Sequence, residues 1–150
     1  MGVPVELVDI YPTLMDLLDI DTPEFVSGKS FAPLLKDSNA RVRESALTEL
    51  GVNTGYGAKV SGYSIKTDRY RFTQWGYNGV LGFELYDHKF DKEEITNHSK
   101  VDSYKFIKDS LTKVLSKRIV EAKQQPKGLD FVTDNPQEWR EPREVYSQPK

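Results

Sequence analysis

The residues of this sequence whose types and spacing suit ligand binding are cations and aromatic side chains between positions 63 and 77. An aromatic ring packs against the apolar face of a sugar, and a neighbouring lysine or arginine can bind a sulfate or carboxylate group. Cross-strand packing with solvated cations explains each residue taken singly, whereas the cluster as a whole favours an anionic sugar as ligand. The candidates for contacting such a ligand are Lys66, Arg69, Trp75 and Tyr77.

The sequence contains no self-sufficient catalytic or metal-binding constellation. The run Gly28-Lys29-Ser30 resembles the end of a phosphate-binding loop, but Pro23 stands where that loop needs its first glycine. Because cysteine is absent, disulfides, thiolate metal sites and a cysteine nucleophile are excluded. His88 and His98 lie ten positions apart in a polar region, without the further ligands at ordered spacing that a metal site requires. We therefore predict no catalytic residue and no metal ligand in this chain.

Two other polar motifs carry weaker signals. Glu93 and Glu94 are adjacent and point to different faces, which favours a solvated turn over an acid/base pair. The run Asn97-His98-Ser99 matches a glycosylation acceptor, a short pattern that matters only in a eukaryotic secretory context.

Length and charge limit the classes of partner. A chain of 150 residues fits one domain or a large subdomain. The net charge of -2 provides no field that would attract nucleic acid or an anionic membrane. No apolar run approaches the roughly 20 residues needed to cross a bilayer, and the first residues lack a signal-peptide pattern. We predict neither nucleic acid nor a membrane as a partner.

The second half of the chain predicts a layer of strands covered by one helix. Apolar residues between 101 and 119 recur at helical spacing, which indicates a long amphipathic helix. Strands followed by a single covering helix are typical of an α+β domain, here a four-stranded antiparallel sheet packed by a long C-terminal helix. Four short runs have the alternation and the flanking turn residues of strands, at 46–50, 62–67, 70–75 and 83–86.

The first 44 residues predict helical segments. A helix that starts near residues 9–11 would place Pro12 in its first turn, where proline is tolerated. Ser30 is a candidate cap for a short helix that ends near Leu35. Glycine and asparagine between 51 and 61 predict a mobile loop, and the polar run 126–150 predicts an extended tail.

Three blocks of sequence follow one another along the chain: VELVDIYPTL at 5–14, GKSF with PLL at 28–35, and ELYD at 84–87 followed by Asp91, Glu94 and Asn97. In this order they resemble the iduronate-2-sulfatase-like group of type I sulfatases, in the alkaline phosphatase superfamily, with Lys92 where proline is usual. The strand region also resembles the GYSIRT and YRYTxW run of that group, with Lys66 in place of the usual arginine. An ammonium group cannot hold an anion through two parallel bonds as a guanidinium does, so anion binding at this position is weakened.

This resemblance implies an enzyme built of two parts. The larger, N-terminal part would supply a formylglycine nucleophile, formed in a C/S-x-P-x-R motif, and Asp and Asn ligands for Ca²⁺, none of which is carried over to this chain. The smaller, C-terminal part would be a four-stranded antiparallel sheet packed by a helix. On this basis residues 1–44 are the end of the catalytic α/β domain with a connecting segment, 45–125 the C-terminal subdomain and 126–150 the tail.

The resemblance also implies a function and a set of partners. The parent protein is expected to hydrolyse sulfate esters on sulfated, uronate-containing glycans or their oligosaccharides, in the periplasm or outside the cell, while this chain alone is inactive. The partner of this chain would be the upstream catalytic domain, which it would contact through an apolar patch. The alternative is a non-catalytic sugar-binding or interaction module derived from a sulfatase. The residues expected in the patch are Tyr11, Phe25, Phe31 and Leu34.

Overall fold

The computed structural model describes residues 2–53 and 59–124, so the predicted tail and the centre of the predicted loop lie outside the described residues. Within this part, the N-terminal helices come first, four strands follow, and a long helix ends the described chain. The elements are α1 (Ile10–Leu17), α2 (Ala32–Lys36), β1 (Ala46–Asn53), β2 (Lys59–Lys66), β3 (Tyr70–Trp75), β4 (Gly82–Asp87) and α3 (Lys105–Ala122).

The four strands form one antiparallel sheet in the order β1-β2-β3-β4, which confirms the predicted sheet. A tight turn joins β2 to β3: the Thr67 N–H donates to the Tyr70 carbonyl at 2.8 Å, and the Thr67 hydroxyl accepts from the Tyr70 N–H at 2.8 Å. The prediction of a loop over 51–61 is wrong at both ends. Val52 pairs with Val60, because the alternating pattern of β1 and β2 continues past the predicted strand ends.

The hydrophobic core lies between one face of the sheet and α3. Ile65, Phe72 and Leu85 are neighbours in register on β2, β3 and β4, and all three are fully buried. Leu111 and Leu115, one turn apart on α3, cover them. The covering helix is therefore confirmed. It begins at Lys105, later than the apolar pattern suggests, since a 3₁₀ turn at Asp102–Tyr104 precedes it.

The N-terminal segment contains both predicted helices, but with a different start for the second. Pro12 is the third residue of α1, as expected from its tolerance in a first turn. Phe31, one residue after the predicted cap, is the N-cap of α2 and makes no side-chain bond there, but the Ser30 hydroxyl accepts from the N–H of Ala32, the first residue of α2, at 3.2 Å. The same hydroxyl donates to Asp16 at 2.6 Å and so ties the start of α2 to α1.

A buried ion-pair network, formed by Glu6, Asp9, Arg43 and Arg118, fastens this segment to the sheet and α3. The fully buried Asp9 carboxylate accepts from Arg43 Nε at 2.7 Å and from a second nitrogen of the same guanidinium, and Arg43 also pairs with Glu6 at 3.2 Å. Glu6 in turn pairs with Arg118 of α3 at 2.6 Å. Burial raises the pKa of Asp9, but the bonds from Arg43 and from two backbone N–H groups outweigh it and hold the pKa below its usual range.

One face of α1 carries an apolar stripe that nothing in the described part of the chain covers. Tyr11 and Phe25, two members of the predicted patch, are also exposed by nearly half, whereas Phe31 and Leu34 are half-buried. Exposed apolar surface of this extent is typical of an interaction site. No helix in the described residues is long and apolar enough to cross a membrane. The stripe consists of Leu7, Ile10, Leu14, Leu17 and Leu18, whose side chains are 47–86% exposed.

Candidate functional site

The sheet face opposite α3 brings polar and aromatic side chains together in rows that run across the strands. Alternate residues of a strand share a face, so the side chains beside the core residues point away from α3. The first row joins Lys66, Arg71 and Tyr86 on β2, β3 and β4. Two residues further along, the hydroxyls of Ser64 and Thr73 share a row with Glu84 of β4, and beyond it Gly62 faces Trp75. We call this surface the open face.

The cations of the first row are linked to a segment that follows β4. Arg71 donates from Nε to Glu94 Oε1 at 2.6 Å, and His88 Nε2 lies 2.6 Å from the same oxygen. Lys66 Nζ donates to the Thr67 carbonyl at 2.9 Å. The prediction of a solvated turn holds for Glu93, which is exposed in a turn, whereas the Glu94 carboxylate is held by Arg71 and His88 with its backbone in the left-handed region at φ 57°.

The first row combines cations with carboxylates. Partial burial lowers the pKa of Lys66, and the neighbouring Arg71 guanidinium lowers it further, although Glu94 and Asp68 oppose the shift. Burial raises the pKa of Glu94, but the bonds from Arg71 and His88 outweigh it, so the pKa lies below its usual range. Glu84 adds negative charge close to Tyr86, at the β4 end of the row.

The other two rows shape the middle and the far end of the open face. The hydroxyls of Ser64 and Thr73 lie 2.9 Å apart, bond each other and are buried. At the far end the Trp75 ring lies flat on the backbone of Gly62, where a Cβ atom would come within 2.6 Å of Trp75 Cε3. Glycine is thus required at position 62 because the indole approaches the backbone closely there. The indole is held in place with part of its surface exposed to solvent.

The structure brings together only some of the four predicted ligand contacts. Lys66 and Trp75 share the open face, and Tyr77, in the turn after β3, is 86% exposed. Arg69 lies apart from them, in the β2–β3 turn on the α3 side of the sheet, where it binds the buried Asp87 through Nε at 2.7 Å and Nη2 at 2.6 Å. Its guanidinium is committed to this pair, so the geometry does not support Arg69 as a ligand contact.

Asp87 is the centre of this second cluster, which holds the end of the sheet to α3. The Tyr104 hydroxyl donates to its Oδ2 at 3.1 Å and the Lys89 N–H to its Oδ1 at 3.1 Å. The bond from Arg69 is the main cause that lowers the pKa of Asp87 from 3.8 to about 2, with burial opposing it. The same bond raises the pKa of Arg69.

The lowered pKa of Asp87 predicts an acid-dependent contribution to stability. Because its pKa is lower in the folded chain, the contribution is complete above the ordinary value of 3.8 and is lost as the pH falls through about 2. Urea unfolding of the wild type and of Asp87→Asn should differ most above pH 4, and the difference should shrink towards pH 2. A difference that stays constant over this range would contradict the assignment.

The four predicted ligand contacts leave out Arg71, His88 and Glu94, which the structure brings together beside Lys66. Arg71 could have been found, because a hairpin with its turn at 67–70 places it opposite Lys66 on the same face. Glu94 and His88 reach the row through an irregular segment, which no periodic pattern predicts.

Asn97 and Asp91, which belong to the third of the sequence blocks named above, have structural roles after β4. Asn97 Oδ1 accepts from the Leu85 N–H at 3.1 Å and from the Ser99 N–H at 2.9 Å, while its amide nitrogen donates to the Phe83 carbonyl at 3.1 Å. Asp91 accepts from the Thr96 N–H at 2.7 Å. The Asn97 amide of the possible glycosylation motif is thus engaged in holding the chain along β4.

Metal binding has no basis in the described residues. Across 2–53 and 59–124, no group of three or more histidines and carboxylates is arranged to hold an ion. The Ca²⁺ that the sequence resemblance implies does not fit these side chains, and no chemical step of this chain is derived through it.

Comparison with known proteins agrees with this architecture. Residues 4–125 match the family described as "N-sulphoglucosamine sulphohydrolase, C-terminal". The chain belongs to this family of sulfatase C-terminal domains. The sulfatase resemblance and the α+β fold class are therefore both confirmed, while the narrower iduronate-2-sulfatase-like assignment stays a prediction.

Individual sulfatases are similar to this chain over a limited part of their own length. Arylsulfatase K of Mus musculus is 33% identical over 99 residues, which are 62% of this chain and 18% of the relative. An arylsulfatase of Clostridium perfringens is 31% identical over 115 residues, 77% of this chain and 22% of the relative. A solved 2-O GAG sulfatase shares the fold with a TM-score of 0.66 and 29% identity, over 77% of this chain and 25% of that one. The chain thus spans about a quarter or less of these sulfatases.

Proposed function

We propose that this chain is the C-terminal part of an enzyme that hydrolyses sulfate esters. The observation that carries the proposal is the family match across 4–125, a range that includes all seven helices and strands described above. The nucleophile and the ion would come from the upstream catalytic domain, as the formylglycine and Ca²⁺ of the family. The role of the chain is to complete the substrate site of that domain.

The substrate class that we propose is a sulfated, uronate-containing glycan. The open face supports this class, because it combines two cations with a partly exposed tryptophan, a pairing suited to sugars that carry sulfate or carboxylate. The likeness to a 2-O GAG sulfatase at 29% identity is a second support. Lys66, Trp75 and Tyr77 remain the candidates for substrate contact, with Arg71 in place of Arg69.

The partner that we propose is the catalytic domain of the same enzyme, which would pack on the apolar stripe of α1. Residues 1–44 would then belong with that domain, joined to the subdomain at 45–125 through the Glu6–Arg118 pair and the bond from the Leu47 N–H to Glu6. Export to the periplasm or the exterior is an expectation that comes from the family alone.

A sulfate-release assay tests the proposed function. The chain alone should not hydrolyse 4-nitrocatechol sulfate, since we expect the nucleophile and the metal ligands to lie in the upstream catalytic domain. The whole protein, expressed from the complete gene, should release sulfate from this ester and from a sulfated glucuronate-containing oligosaccharide.

Two outcomes would contradict parts of the proposal. Turnover by the isolated chain would remove the need for an upstream catalytic domain. Absence of turnover by the whole protein, together with retained binding of the oligosaccharide, would favour the non-catalytic sugar-binding module.

A further inference from the structure

We infer that the open face binds an anionic oligosaccharide across two sugar units, with Lys66 and Arg71 on the anionic group of one unit and Trp75 on the ring of the next. The inference takes its substrate class from the proposed function and assigns the side chains that recognise it. It requires no catalysis by this chain.

The donors of the two cations are only partly used. Lys66 has three N–H donors and makes one bond, to the Thr67 carbonyl. Arg71 has five donors and uses Nε alone, so both of its terminal nitrogens have no partner in the described part of the chain. The cation row can therefore form several charge-assisted bonds without breaking an existing one.

Repulsion between the two cations also favours an anion at this place. Lys66 and Arg71 are directly opposite on adjacent strands, an arrangement of like charges that destabilises a sheet. Glu94 binds Arg71, and the pKa of Lys66 is still lowered by burial and by Arg71, although Glu94 and Asp68 oppose the shift. A sulfate or carboxylate bound between Lys66 and Arg71 would relieve their repulsion.

The spacing of the rows sets the size of the ligand. Four residues along β3 separate Arg71 from Trp75, which corresponds to about 13 Å at the rise of a strand. This distance is longer than one sugar ring. Between them lie the short, buried side chains of Ser64 and Thr73, with Glu84 of β4 beside Thr73 in the same row. A chain of sugars that spans from Arg71 to Trp75 would lie over these two hydroxyls, next to Glu84.

The row as described accepts either of two anions. A sulfate and a uronate carboxylate both take charge-assisted bonds from Lys66 and from the terminal nitrogens of Arg71. The probe set must therefore separate them. We choose a sulfated glucuronate-containing tetrasaccharide, its desulfated form and its carboxyl-reduced form.

Isothermal titration of the 150-residue chain with these three tetrasaccharides tests the inference. Lys66→Gln should weaken binding of the fully charged tetrasaccharide about tenfold or more, because a bond to a charged group contributes about 1.5–3 kcal/mol. The charge-retaining Lys66→Arg should bind at least as well as the wild type. Lys113→Gln, which removes an exposed cation from α3, is the matched control and should leave binding unchanged.

A second variant tests the ring contact. Trp75→Ala should weaken binding several-fold. Trp75→Phe should weaken it less, because phenylalanine retains an aromatic face. Thermal unfolding of each variant identifies any loss of the fold, and Lys66→Arg provides a readout even if Lys66→Gln does not fold.

The outcomes separate this inference from the proposed function. Equal affinities of Lys66→Gln, Lys113→Gln and the wild type, or no binding of any probe, would overturn the inference even if the whole protein releases sulfate. Loss of affinity only with the desulfated probe would assign the row to sulfate, and loss only with the carboxyl-reduced probe would assign it to the uronate. Lys66-dependent binding without sulfate release by the whole protein would leave the inference standing and overturn the enzymatic function.

Discussion

Arg43→Ala is expected to lower the free energy of unfolding by about 3–5 kcal/mol, because it leaves the carboxylate of Asp9 buried without its cation. The two side chains are 5% and 0% exposed, so water cannot replace the lost bonds. Glu6, which pairs with both Arg43 and Arg118, loses one of its two partners as well. Urea unfolding monitored by circular dichroism measures the change.

The matched control is Arg41→Ala, two residues earlier in the chain. Arg41 pairs with Asp68, but the two side chains are 64% and 36% exposed, and exposed pairs contribute about 0–1 kcal/mol. If the two variants lose equal stability, burial of the Asp9 pair does not have the effect that we assign to it.

The second large effect concerns the apolar stripe of α1. The isolated chain should self-associate through this stripe, and the double variant Leu14→Lys, Leu18→Lys should be monomeric. Each leucine removed from water contributes roughly 1.5–3 kcal/mol, so loss of both should weaken association on the order of a hundredfold or more. Sedimentation velocity over a range of concentrations measures it. In the whole protein the same variant should weaken the contact with the catalytic domain.

Val120→Lys is the control for charge added to an exposed apolar position. Val120 lies on α3, is 62% exposed and is outside the stripe. Two results would show that the stripe is not an association surface. The wild-type chain could be monomeric at high concentration, or the Val120→Lys control could dissociate as much as the double variant does.

The strands and the covering helix could be predicted from the sequence because their patterns are periodic. Phe72 and its neighbours on β3 alternate between core and open face, and the Asn78-Gly79 pair marks the turn to β4 with φ values of 50° and 76°. The sheet partners then follow from the turn lengths. The faces of Ser64 and Ile65 could be assigned in the same way.

The roles of individual cations could not be predicted, since they depend on contacts between residues distant in sequence. Arg69 is paired with Asp87, 18 residues away, and Arg71 with Glu94, 23 residues away. Both arginines lie near aromatic residues in the same short stretch. Composition therefore does not distinguish Arg69, which is held in a structural pair, from Arg71, which has unused hydrogen-bond donors.

The bonds that Asn97 makes along β4 have a consequence for how copies of this chain can associate. An edge strand with unpaired N–H and carbonyl groups is a template for strand addition and fibril growth. At β4 the Leu85 N–H, its carbonyl and the Phe83 carbonyl are already bonded by residues 97–99, and at β1 the Leu47 N–H is bonded by Glu6. Aggregates of the chain should therefore dissolve when helix α1 is made polar, and should not grow by adding a strand at this part of β4.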